Sequence, residues 1–257
     1  MNSSTDGGMY LYCLGPEGSF SHALASQLTS RIVTLKTISE VFASVDDNSY
    51  GLVPIENSSG GFIYETVDCL MRHKDVNIIE HIPYSINLAL MRRKGDAHSK
   101  PTKILSHAMP FFHCDEWLNK WYKDVERVIY SSTSAAAKYV SESNEPGVLA
   151  ICSVRNAEQY GLELVSSDIG SDKLNVTEFY LIAKNKHAEG DLNRTVMLAE
   201  LEDTPGEFQR FLLQYQDTNL KRVLMRAPNF YIELEGSVDT TDPRVKRINK
   251  FISNRKF

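Results

Sequence analysis

Short apolar runs rich in β-branched and aromatic residues alternate with helical stretches along the first two thirds of the chain. That alternation restricts the fold more than any other feature. MYLYCLG, IVTLK, YGLVPI, the long VNIIEHIPYSINLALM, KILSHA, ERVIYS, VLAICS and NVTEFYLIAK read as strands. Between them lie helical segments: one from about Ser21 to Ser30, ISEVFASVDD with Ile38, Val41, Phe42 and Val45 on one face, a helix ending near His73, FFHCDEWLNKWY, STSAAAKYVSE, and VRNAEQYG stopped by Gly161. A β-α succession of this kind predicts an α/β fold with mostly parallel sheets. The polar stretch Asn185–Asn193 reads as a linker, and the remaining residues read as a small β-α-β-β-α module, with DPRVKRINKFIS as its last helix. About 65 residues make a thin core, so the module is expected to lean on the first domain or on a second copy of itself.

Composition removes several classes of function. Hydrophobic residues at 42% and charged residues at 24% fit a folded chain rather than a disordered one. A net charge of -5 without a long basic run argues against a nucleic-acid surface. Cys13, Cys69, Cys114 and Cys152 are scattered, which disfavours structural zinc and a disulfide framework. The polar start MNSSTDGG predicts no secretory leader, no apolar stretch is long enough to span a bilayer, and a cytoplasmic protein is expected. The histidines form no metal-binding spacing and the glycines no nucleotide fingerprint, so neither metal nor cofactor is expected.

Three polar turns follow strand ends. GPEGSFS offers Ser19 or Ser21 as a helix cap, PIENSSGG carries Asn57 and Ser58 before Gly60 and Gly61, and SSTSAAAKY offers Ser132 or Thr133. Helix N-termini bind anions, so together these turns point to a small ligand with more than one acidic group; each Ser or Thr is also an ordinary structural cap. In NVTEFYLIAK, strand alternation puts Thr177 and Phe179 on one side and Glu178 on the other, with Asn175 and Thr177 toward the ligand. His107 is either a proton donor or a packing histidine, and Trp117 and Trp121 read as core.

The order of these motifs resembles prephenate dehydratase. YCLGPEGSFSHALA, GLVPIENSSGGFIYETVDCL, ILSH, SSTSAAAKYV, AICSVRNAEQYGLELVSSDI and NVTEF carry the resemblance over about residues 9 to 184. The piece from about 194 to 257 resembles the ACT regulatory domain that follows in that family. The resemblance implies a two-lobed, periplasmic-binding-protein-like catalytic domain (1–184), a linker (185–193) and a small α+β ACT-like domain (194–257). It also implies the decarboxylating dehydration of prephenate to phenylpyruvate in phenylalanine biosynthesis, without cofactor or metal. The implied substrate is a small dicarboxylate, the implied effector an amino acid, and the implied assembly a homodimer or homotetramer. Thr177 stands where the family has its catalytic threonine, with Ser19, Ser21, Asn57, Ser58, Ser132, Thr133, Asn175 and Phe179 around the substrate.

The chain departs from the family pattern in places. Thr-Arg-Phe becomes Thr177-Glu178-Phe179, and Ser-His-Pro-Gln-Ala becomes Ser106-His107-Ala108-Met109-Pro110. The effector motifs become Gly206-Glu207-Phe208 and Leu224-Met225-Arg226-Ala227, which implies a degenerate effector site and weak or absent feedback by phenylalanine. An anion at 178 suits an amine-bearing substrate, which keeps arogenate dehydration open. The same scaffold also suits a non-aromatising prephenate decarboxylase, or a ligand sensor without catalysis.

Overall fold

The computed structural model describes residues 9–167, 169–170, 175–226 and 228–253. The N-terminal polar octet and Ala227 lie outside the described residues. The chain begins β1 (Tyr10–Leu14), α1 (Phe20–Leu28), β2 (Ile32–Leu35), α2 (Ile38–Ser44), β3 (Ser49–Asn57), β4 (Gly61–Phe62), α3 (Tyr64–Arg72) and β5 (Val76–Ser85). It continues with β6 (Leu88–Arg93), β7 (Lys103–Ser106), α4 (Ala108–His113), α5 (Asp115–Trp121), β8 (Glu126–Ile129), α6 (Thr133–Glu142), β9 (Val148–Ser153), α7 (Val154–Tyr160) and β10 (Leu162–Ser166). The last part comprises β11 (Val176–Lys184), β12 (Arg194–Glu200), α8 (Glu207–Leu212), β13 (Leu220–Arg226), β14 (Asn229–Glu235) and β15 (Val245–Ser253).

These elements form two lobes. The first sheet runs β13-β14-β12-β15-β5-β11-β3-β1-β2, with β4 paired to β3; the second runs β10-β6-β9-β7-β8. The chain enters the second lobe after β5 and returns at β11, and the two crossing segments touch where Ile86 N–H donates to the Asn175 carbonyl at 2.7 Å. Both sheets are mixed rather than mostly parallel: β11 runs antiparallel to β3 and β5, and β6 antiparallel to β9 and β10. In the first sheet the reason is the return strand β11, which comes back from the second lobe between β3 and β5. The segment VNIIEHIPYSINLALM is accordingly divided between lobes as β5 and β6, and FFHCDEWLNKWY is two short helices meeting at Cys114.

Local signals account for the helix starts. Ser19 accepts from His22 N–H, Ser132 from Ala135 N–H, and Thr37 and Glu40 close a reciprocal capping box. Gly161 ends α7 at φ 64°, a backbone state that glycine adopts without strain. In β3 the residues Gly51–Ile55 are all buried, as a central strand requires. Pro54 has no N–H to give the ladder. The antiparallel register with β11 slips there, so Phe179 faces Pro54 while Glu178 faces Glu56 and Ile55 is the extra residue.

The C-terminal segment ends in a strand, not a helix. Val245, Ile248, Phe251 and Ile252 have helix-like spacing, but β15 is an inner strand with apolar contacts on both faces. Val245 and Ile248 pack with Met197, Phe211 and Ile232, while Phe251 packs with Ile55, Val67 and Tyr180 of the first lobe. β15 also pairs in parallel with β5, Ile252 opposite Glu80 and Ser253 opposite His81. The module is thus not free-standing; its sheet continues that of the first lobe.

Candidate active site

The strand ends and helix starts of both lobes converge on a cavity of about 410 Å³. From the first lobe come Gly15, Ser19, Ser21, Pro54, Asn57, Gly60, Asn175, Thr177 and Phe179; from the second come His107, Met109, His113, Ser132 and Thr133. A space of that size suits a small molecule. Of the catalytic and substrate-binding residues named from the sequence, all but Ser58 line it. Ser58 Oγ instead accepts from Val176 N–H at 3.0 Å, and Ser58 N–H donates to the Val176 carbonyl at 2.9 Å. Its function is to clamp the turn onto β11.

Asn57 organises the floor. Its Nδ2 donates to Asn175 Oδ1 at 2.9 Å, to Thr177 Oγ1 at 2.9 Å and to the Val176 carbonyl at 3.3 Å. Its Oδ1 accepts from the N–H groups of Ser59 and Gly60, at 3.0 and 2.9 Å. Thr177 Oγ1 is therefore already an acceptor, which leaves its own proton for donation. The bulge beside Pro54 makes this possible: Pro54 and Asn57, three residues apart, both reach the cavity, which strict alternation forbids.

Among the described residues the cavity lining contains no Lys, Arg, Asp or Glu. Positive potential comes instead from the N-termini of α1 and α6, one from each lobe, whose first residues and caps lie at the wall. The third expected helix start is displaced. The Asn57–Gly60 turn folds into the β3–β4 hairpin, and α3 begins only after Ile63, which makes no side-chain cap. Aromatic and aliphatic surfaces from Phe20, Ile63, Ile86 and Phe179 complete a slot for a flat ring.

Two histidines lie at the second-lobe wall. His107 is exposed and caps α4, its Nδ1 facing Met109 N–H at 3.5 Å, so it is not a packing residue. His113, which does not stand out in the sequence, is only 8% exposed; burial lowers its pKa below the ordinary value, which leaves the ring neutral at pH 7. The signal available for it was the spacing of Met109 and His113, one helical turn apart after a strand end. Trp117 stacks on Tyr122 at 5.3 Å in the second-lobe core, but Trp121 is largely exposed, with Lys120 over its ring.

Glu178 lies behind the cavity. Its carboxylate contacts Arg222 of β13 and His81 Nε2, the latter at 2.8 Å. The anion that replaces the family arginine is thus spent on the C-terminal module and does not face a ligand.

The side chains named as effector contacts, Glu207, Phe208 and Arg226, are engaged with other residues of the chain. Gly206 sits at φ 82° before α8, and Glu207 pairs with Arg244 at 2.5 Å and Arg210 at 3.0 Å, which lowers its pKa. Phe208 stacks on Phe230 at 5.2 Å, and Arg226 pairs with Asp68 at 2.9 Å while covering Tyr64.

Two lobes closing on a cavity floored by polar strand ends define a two-lobed α/β cleft protein. The prephenate dehydratase family model matches residues 11–187. A prephenate dehydratase of Methanocaldococcus jannaschii is 28% identical over 253 residues, covering 91% of each chain. A bifunctional chorismate mutase/prephenate dehydratase of Stutzerimonas stutzeri is 30% identical, covering 91% of this chain and 67% of its own. The crystal structure of the Arthrobacter aurescens prephenate dehydratase with L-Phe superposes with a TM-score of 0.80 at 25% identity, covering 96% of this chain and 90% of that one. The chain belongs to the prephenate dehydratase family, whose reaction makes it a lyase of aromatic amino acid biosynthesis. Among the described residues no helix is long and apolar enough to cross a membrane.

Proposed function

We propose that the cleft converts prephenate to phenylpyruvate, with Thr177 as the residue that acts on the departing hydroxyl. The observation that carries this reading is the Asn57–Thr177 hydrogen bond at the cavity floor, which leaves the Thr177 proton as a donor. As the ring carboxylate leaves as carbon dioxide, its bonding electrons enter the ring and expel the oxygen on the opposite carbon. Thr177 donates a hydrogen bond to that oxygen as charge builds on it, and the oxygen departs into solvent as hydroxide, which carries the negative charge that the lost carboxylate brought. Donors aimed in advance at developing charge do the most for such a step. The substrate's two carboxylates fit the two helix N-termini, and among the described residues the lining holds no side-chain anion to compete with them. Glu178 faces the C-terminal module, and among the described lining residues none is acidic to prefer an ammonium, which favours prephenate over arogenate.

The C-terminal segment, which we read as a degenerate ACT module, is expected to respond weakly or not at all to phenylalanine. Glu207, Phe208 and Arg226 already have internal partners, and the Glu207–Arg244 pair would have to break to admit an amino acid. The buried thiols fit a cytoplasmic setting, and assembly into a homodimer or homotetramer fits the uncovered β13 edge.

The test is incubation of the purified protein with prephenate or arogenate at neutral pH, with products resolved and L-Phe titrated in parallel. Phenylpyruvate from prephenate, little phenylalanine from arogenate, and no tight calorimetric binding of L-Phe are expected. Carbon dioxide without phenylpyruvate would replace this reading with a non-aromatising decarboxylase. Ligand-induced stabilisation without turnover would replace it with a sensor.

A further inference from the structure

The floor of the cavity is held from behind by a single side chain of the C-terminal module. Across the β3–β11 ladder Thr177 lies opposite Asn57, and the next pair is Glu178 opposite Glu56. Alternation sends the first pair into the cavity and the second out of its back. There the two carboxylates meet Arg222 of β13, which is 7% exposed. Its Nε donates to Glu56 at 2.7 Å, one terminal nitrogen contacts Glu178, and the other donates to Glu233 at 2.5 Å. Glu233 is fully buried and is completed by Arg194 at 3.2 Å and by the Tyr180 hydroxyl at 2.8 Å. His81 Nε2 lies 2.8 Å from Glu178, and its Nδ1 lies 2.8 Å from Ser253 Oγ of β15.

We propose that Arg222 is a positioning residue for the dehydration step: by bridging Glu56 and Glu178 it fixes the register and spacing of Asn57 and Thr177. Like charges directly opposite on adjacent strands repel, and here they lie within a partly buried layer where screening is weak. Without the guanidinium, Glu56 and Glu178 push the strand ends apart at the point where the Asn57–Thr177 bond is made. The bulge at Pro54 adds to this sensitivity, because the ladder beside these residues is already interrupted. The fork of Arg222 suits the task, since it presents separate donors to separate carboxylates in one plane. The module is therefore part of the apparatus that aims Thr177, whatever its response to small molecules.

The proposal rests on the dehydration reading of the cleft, and the test separates the two. If the wild-type protein makes no phenylpyruvate, that reading fails. If it does, Arg222→Gln is expected to lower kcat about tenfold or more while KM stays within about threefold, because the helix N-termini that hold the carboxylates are untouched. Adding Glu178→Gln to Arg222→Gln removes the unbalanced charge and is expected to recover about threefold or more of the lost kcat. A merely structural role would lower the melting temperature but leave kcat per folded molecule unchanged, and the second substitution would recover nothing; that result overturns the proposal. Should Arg222→Gln fail to fold, Glu178→Gln alone carries the test, since Arg222 then keeps Glu56 and Glu233. A kcat loss of about threefold or more supports the proposal, and an unchanged kcat overturns it.

Discussion

Replacing Thr177 by valine isolates the hydroxyl from everything else that the residue does. Valine keeps the β-branched shape that suits β11 and the backbone pairing to Asn57 on one side and Tyr84 on the other. What disappears is Oγ1, which accepts from Asn57 Nδ2 at 2.9 Å, and with it the proposed donor to the departing oxygen. Asn57 keeps Asn175 Oδ1 at 2.9 Å and both backbone donors to its Oδ1, so the turn should survive. The lost bond is then worth about 1 kcal/mol of stability, or a melting-temperature drop of about 2–4 °C in a chain of this size. The catalytic loss is larger: removing one donor aimed at developing charge costs about 10²–10³ in kcat, or about 2.7–4 kcal/mol. Since the carboxylates are held elsewhere, KM should change by less than about threefold. Steady-state phenylpyruvate formation, beside circular dichroism to report the folded fraction, measures both quantities. Thr177→Ser, which restores a hydroxyl, should recover most of the rate. A valine variant with kcat within about fivefold of wild type, or with the whole loss in KM, would refute the role of the hydroxyl.

Acid should weaken the C-terminal module. Burial alone would raise the Glu233 pKa, but the charge and hydrogen bonds of Arg222 and the Tyr180 hydroxyl outweigh it and depress the value, while Lys221 and Asn219 hold Glu235 at about 2. A depressed carboxylate contributes stability that is complete above its ordinary pKa and is lost as pH falls through the depressed value. Midpoints in urea should therefore be flat above about pH 5 and decline steadily below it; a midpoint that rises on acidification would contradict the pairing. Thiol chemistry gives an independent check. Burial pushes Cys13, Cys114 and Cys152 up to about 12, so a thiolate-specific reagent at pH 8 should leave them unmodified in the folded protein and label them in denaturant. Rapid labelling of the native chain would place those thiols at the surface.

The strands and capped helices of the first two thirds were legible because each carries its signal locally. Ser19 and Ser132 cap the helices to which they were assigned, and Thr177 and Glu178 part to opposite faces as alternation requires. What escaped the sequence depends on partners far along the chain. Residues 76–93 form one apolar run, and nothing within it marks where β5 leaves one sheet and β6 joins another. In β15 an apolar spacing of three and four mimics a helix because Val245 and Ile248 face one core and Phe251 another. Ser58 looks equivalent to its neighbour Asn57, yet the bulge opposite Pro54 turns one into the cavity and the other onto a backbone. His113 carries only the weak signal of its one-turn spacing from Met109, and the second lobe's packing brings it to the wall.

The parallel pairing of β15 with β5 also has a bearing on biosynthesis. The strand β15 closes the flank of one laid down far earlier in the chain, so during translation β5 emerges with a bare row of peptide groups and waits for residues 245–253. Asn249 is the latch, its amide gripping both the N–H and the carbonyl of Ile78. A ribosome stalled before that residue would hold a nascent lobe with one open edge, ready to pair with whatever extended segment comes near.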